Sequence, residues 1–82
     1  MSLPVITLYS KERCVQCTAS ERKLTEGNVT FIHADATTDE NRELAIGLGY
    51  FQAPVMTVVK DGEIVDHWSG YRPDKIEELA KG

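Results

Sequence analysis

Cys14 and Cys17 are the two cysteines of the chain, and the segment CVQC sets them three residues apart. Thiols at that spacing can do redox chemistry, because on one helical turn the two sulfurs lie close enough to bridge with little backbone movement. The apolar run PVITLY at residues 4–9 precedes them and residues 15–26 read as a helix, so Cys14 falls at the junction of strand and helix. There its sulfur faces unpaired N–H groups and the positive end of the helix dipole, which favours thiolate over thiol. Lys11 and Arg13 add positive charge nearby, as tuning residues rather than reactants. Cys17, one turn further in, is shielded and keeps its proton longer. That inequality gives Cys14 the attack on a partner disulfide and Cys17 the release of the mixed disulfide.

Two other readings of the pair stay open at this point. Free cysteines often pack as small hydrophobes. A tetrahedral zinc site wants four ligands, and only His33 and His67 offer imidazole, each within a strand pattern and far from the pair in sequence. No metal, and no cofactor beyond the Cys14–Cys17 couple, is therefore expected. Both histidines read as strand residues without catalytic duty. C-x-x-C beside a βαβ pattern is the signal that favours redox chemistry.

The elements that must position the thiols follow from pattern. PVITLY is β-branched and apolar almost throughout, as in a strand buried on both faces. The helix over 15–26 has a thin apolar stripe of Cys17, Ser20 and Leu24, and Gly27 reads as the left-handed residue closing it. VTFIHA at 29–34 reads as a second strand. TTDENRELAIGLG, residues 37–49, opens with Thr37 and Glu40 in capping-box spacing, carries Leu44 and Leu48 on one face, and ends at Gly47 and Gly49. Two β-rich runs flank Asp61-Gly62, a dipeptide suited to a tight hairpin. Pro73 suits a first helical turn, and Ile76, Leu79 and Ala80 form one face of a last helix. The expected order is βαβαββα, an α/β chain whose mixed four-stranded sheet is covered by helices on both faces.

At 82 residues the chain reads as a single domain, residues 1–82. Its net charge of −4 is dispersed, and basic residues gather only around Lys11, Arg13, Arg22 and Lys23, which argues against nucleic-acid binding. No apolar stretch could cross a bilayer and no signal segment opens the chain, so a cytoplasmic location away from membranes is expected. In a reducing compartment a C-x-x-C staple would have little structural use.

Three motifs spread over nearly the whole chain carry a resemblance: CVQC at 14–17, QAPV at 52–55 and WSGYRPD at 68–74. With them the chain resembles the thioredoxin-fold redoxins, and among these the NrdH-redoxin family, glutaredoxin-like electron donors for class Ib ribonucleotide reductase. WSGYRPD is the most telling, since plain thioredoxins and glutaredoxins lack it. The resemblance implies a thioredoxin-like, glutaredoxin-like fold and a monomer reduced by thioredoxin reductase, with the class Ib reductase large subunit as partner. It further implies that Pro54 is a cis-proline facing the cysteines and that Ala53 offers its backbone to an extended partner segment. Val15, Gln16, Ala53, Pro54, Trp68, Ser69, Gly70 and Arg72 would then form the docking surface, with Trp68 as an aromatic wall, although pattern alone reads Trp68 equally well as a core tryptophan ending a strand. Arg72 and Asp74 would brace the loop that Gly70 allows to turn. Glutathione-binding relatives carry Thr-Val-Pro and a Gly-Gly-x-Asp-Asp-like turn where this chain has QAP and WSGYRPD. One departure is local: the family often has Lys-Pro before CVQC, whereas Glu12 follows Lys11 here and offsets some cationic support for the thiolate. Tyr50 and Phe51 are expected to pack near the loop before Pro54 or, alternatively, to offer an exposed aromatic platform to a reductase. A glutathione-dependent glutaredoxin and a redox-switched binding module are the competing readings.

Overall fold

A computed structural model describes residues 3–81; residues 1, 2 and 82 of the expected domain lie outside it. The elements run β1 (Val5–Ser10), α1 (Val15–Glu26), β2 (Ile32–Asp35), α2 (Asp39–Gly47), β3 (Val55–Lys60), β4 (Glu63–Ser69) and α3 (Pro73–Lys81), in the expected order. The sheet is ordered β2-β1-β3-β4. β1 and β2 are parallel, while β3 runs antiparallel to both β1 and β4.

Side chains alternate across a strand, and register decides which rows become core. Leu8 faces Met56 and Met56 faces Trp68, giving one apolar row across three strands. Leu24 of α1 and Ile76 of α3 close over this row together with Ile6 and Val58. α1 and α3 therefore share one face of the sheet, and they pack against each other. Lys23 and Glu77 add an ion pair at 3.1 Å between them. α2 covers the opposite face, where Ala45 and Ile46 stand across a cleft from Tyr9 and Val55. Asp61 and Gly62 take φ of 54° and 81°, the positive pair that a tight hairpin requires.

Several local expectations need correction. The second strand spans 32–35 rather than 29–34, because Val29 and Phe31 pack against the core from outside the ladder, with the Val29 N–H donating to the Leu24 carbonyl at 2.9 Å. Gly27 has φ −82°, and Asn28 at φ 57° is the left-handed residue. The glycine serves a different need: a Cβ there would stand 3.0 Å from the Ala80 Cβ, so its bare Cα lets α3 approach α1. The cap of α2 is Thr38, whose hydroxyl accepts the Asn41 N–H at 3.2 Å. Thr37 is diverted, since its hydroxyl and its N–H both donate to Asp35 Oδ1, at 2.6 and 2.8 Å. These bonds hold the Asp35 carboxyl below the usual aspartate range. At its other end α2 keeps Gly47 within the helix and is capped by Leu48, with Gly49 at φ 95° beyond. α2 buries no residue, and Leu44 is exposed rather than part of a core stripe.

Candidate redox site

The loop leaving β1 delivers Cys14 to the N-cap of α1 in extended conformation. Its sulfur accepts the Cys17 N–H at 3.1 Å, and its carbonyl accepts the Thr18 N–H at 3.1 Å. The first turn of α1 carries no acidic side chain to oppose the dipole at that end. Cys14 and Cys17 are joined as a disulfide with Cα atoms 5.2 Å apart. Their exposure differs as expected: Cys14 is half-buried, while Cys17 is 4% exposed. Val15 between them is 84% exposed.

The other two motifs are tied to each other and, through the Gln16 side chain, to CVQC. The Ala53–Pro54 bond is cis, and Pro54 is buried with its carbonyl accepting the Gly70 N–H at 2.9 Å. Ser69 Oγ donates to the Gln52 carbonyl at 3.1 Å. Across 55 residues of sequence, the Tyr71 N–H donates to Gln16 Oε1 at 3.1 Å. The WSGYRPD loop is thus bonded both to the CVQC helix start and to the QAP turn. Gly70 is required where they meet: its φ is 81°, and a Cβ would stand 3.2 Å from Gln16 Oε1.

No protein-family model matches the chain. Individual relatives do. The glutaredoxin-like protein NrdH of Salmonella typhimurium is 36% identical over 76 residues, spanning 90% of this chain and 86% of that protein. The chain belongs to the NrdH family of glutaredoxin-like redoxins. The solved structure of NrdH-redoxin from Escherichia coli matches with TM-score 0.77 at 33% identity, covering 90% of this chain and 92% of that one. Mitochondrial thioredoxin 3 from Saccharomyces cerevisiae, at 22% identity and TM-score 0.70, shows the same thioredoxin fold. This redoxin is a thiol–disulfide oxidoreductase whose redox-active couple is Cys14 and Cys17.

Of the two readings of Trp68, docking wall and core residue ending a strand, the structure has the second: it lies in the core of the redoxin, 3% exposed. Register explains it, because Trp68 shares a sheet face with Met56 and Leu8 beneath α1 and α3. Lys75 stands over its ring at 5.6 Å and donates to Asp66 at 3.1 Å. The two aromatics before Pro54 divide: Phe51 is 81% exposed, whereas Tyr50 is half-buried. The Tyr50 hydroxyl meets His67 Nδ1 at 2.8 Å, tying the loop before Pro54 to β4. His33 Nε2 is hydrogen-bonded to Ser10 Oγ. Neither contact has a sequence signal, since each partner is ordinary in its own element. Among the described residues, no group of three or more His, Cys, Asp or Glu could hold a metal ion. Lys11 and Arg13 are exposed, Arg13 with φ 56°.

Arg72 braces its loop through Asp74, with Nε and Nη2 donating to the two carboxylate oxygens at 3.1 and 2.9 Å. The Arg72 hydrogen bonds hold the Asp74 carboxyl below the usual aspartate range, and Asp74 in turn raises Arg72. A depressed carboxyl favours the folded loop above the unfolded aspartate pKa of about 3.9 and loses that contribution as pH falls through the folded value. Carboxyl NMR titration should place the Asp74 midpoint below that of a free aspartate, with the Gly70 amide shift following the same curve. Arg72→Ala should return the midpoint to the ordinary range. Both groups are solvated, so the effect belongs to loop order rather than global stability.

Proposed function

We propose that this redoxin delivers electrons to the large subunit of a class Ib ribonucleotide reductase and is itself reduced by thioredoxin reductase, acting in the cytoplasm as a single-domain monomer. The observation that carries this reading is the unequal pair: an accessible Cys14 sulfur at the helix start, receiving a backbone N–H, and a covered Cys17 behind it. Charge-assisted hydrogen bonding to the sulfur favours its anion. In the dithiol state the Cys14 thiolate attacks one sulfur of the partner disulfide, forming a mixed disulfide and expelling the other sulfur, which takes a proton. Cys17 then loses its proton and attacks Cys14 Sγ, expelling the second partner sulfur, which is protonated in turn. Two electrons and two protons pass to the partner, and the chain is left with the internal bond present in this structure.

The remaining motif residues support docking. The Ala53 backbone makes no hydrogen bond among the described residues, which leaves it open to an extended segment beside the sulfurs. Val15 and the edges of Pro54, Ser69 and Gly70 frame that segment. Gln16 and Arg72 hold the frame in shape, with Trp68 supporting it from below. Lys11 and Arg13 supply a solvated positive field to the thiolate. The Escherichia coli NrdH-redoxin, whose structure was described as the basis of a thioredoxin-like activity profile, points to the same class of reductant. The test is to recycle the oxidised redoxin with thioredoxin reductase and NADPH, and separately with glutathione, using a class Ib reductase as acceptor. Turnover with the reductase and formation of deoxyribonucleotide is the expected result. Efficient glutathione turnover without reductase turnover would reverse the assignment.

A further inference from the structure

A cleft of about 320 Å³ opens between α2, the end of β1 and the loop leading to Pro54. Tyr9, Ile46 and Val55 give it apolar walls, and Ala53 joins it to the docking frame of the thiols. Its only charged lining residues are Lys11 and Arg42, both cationic, on a chain of net charge −4. Among the described residues neither is held in an ion pair. α2 itself carries Asp39, Glu40 and Glu43, yet none of these lines the cleft. Positive charge is thus concentrated where a partner segment leaving the cysteines would run.

We propose that the cleft reads an acidic side chain next to the target disulfide, so that the preferred substrate is an extended protein segment with Asp or Glu one to four residues from its cysteine. This rests on the redox reading above and names the substrate class of the same site. An extended segment rises about 3.3 Å per residue, which lets a carboxylate a few residues from the reacting sulfur reach the cleft. A protein segment is favoured over a free tripeptide by the apolar surface around the opening. Phe51 is 81% exposed and Ile46 is 46% exposed, more than a small thiol would cover.

The test uses two disulfide peptides, identical except for Asp or Lys flanking the cysteine, with kcat/KM measured on the full chain. Exposed charge pairs of this kind are worth modest factors each, so attraction for one peptide and repulsion of the other should give a ratio of roughly tenfold at low salt. The ratio should shrink as ionic strength rises and the screening length falls. Arg42→Glu should erase or invert it, and Arg42→Lys should retain it. A wild-type ratio within about twofold, or one unmoved by Arg42→Glu, would overturn the proposal while leaving the redox reading intact. Absence of turnover with both peptides would overturn the two together. Oxidised glutathione reduced as efficiently as the acidic peptide would show that the cleft serves a tripeptide, and would also overturn it.

Discussion

Cys14→Ser should abolish protein-disulfide reduction, whereas Cys17→Ser should still attack its partner and stall as a stable mixed disulfide. The two outcomes follow from position rather than from residue type. Cys14 is the capping residue, reachable from solvent and bonded by the Cys17 N–H, so its removal leaves no nucleophile at the surface. A serine hydroxyl cannot replace it, since exchange needs a thiolate and serine ionises far outside the working range. Cys17, 4% exposed, is covered from the partner and reaches the mixed disulfide through Cys14 Sγ, the sulfur it bonds in this structure. Without it the covalent complex has no internal exit. Mass spectrometry of Cys17→Ser after mixing with a disulfide substrate should show one adduct per chain, released by added dithiol. Alkylation of the reduced wild type should modify Cys14 well before Cys17. Equal activity of Cys14→Ser and wild type would remove the assigned roles.

Trp68→Ala should cost about 3–5 kcal/mol of stability, the range for deleting a buried aromatic side chain. For a domain with about 5–15 kcal/mol in total, that is a large share, and the urea midpoint should drop sharply. Trp68→Phe should cost clearly less than Trp68→Ala, because a six-membered ring still fills most of the row with Leu8 and Met56 and leaves a smaller cavity. One term even favours it: the indole Nε1 is buried without a hydrogen-bond partner, and phenylalanine carries no donor to leave unmade. A docking wall would behave in the opposite way, with Trp68→Ala folding normally and losing affinity for its partner. Denaturation and partner kinetics on the same two variants separate these roles.

The thiol pair was legible in its spacing, since i and i+3 share a helix face and bring both sulfurs within bridging reach, and the unequal exposure of the two followed from placing Cys14 at the strand–helix junction. The hairpin was equally legible, because Asp61-Gly62 tolerates the backbone that a tight turn imposes. What escaped depends on contacts between distant segments. Gln16 reads as a free polar residue in CVQC until Tyr71 arrives 55 positions later to use its carbonyl oxygen. The facing of Trp68 was hidden by a register shift in the β3–β4 ladder between Val58 and Val59. Val58 pairs with Asp66 but Val59 with Ile64, so alternation counted along β4 loses its phase at Val65. Leu44 and Leu48 carry the spacing of a core stripe, yet α2 stands off the sheet across a cleft.

That standing-off has a consequence for how such a protein can diverge. No α2 side chain is fully buried, and its side-chain tie to the sheet is Asn41 Nδ2 donating to the Asp35 carbonyl at 2.8 Å. Solvent-facing substitutions there should move stability by no more than about 0.5 kcal/mol, provided the Thr38 cap is kept. Paralogues could therefore acquire new clients by rewriting this one helix, inheriting the electron-transfer machinery unaltered.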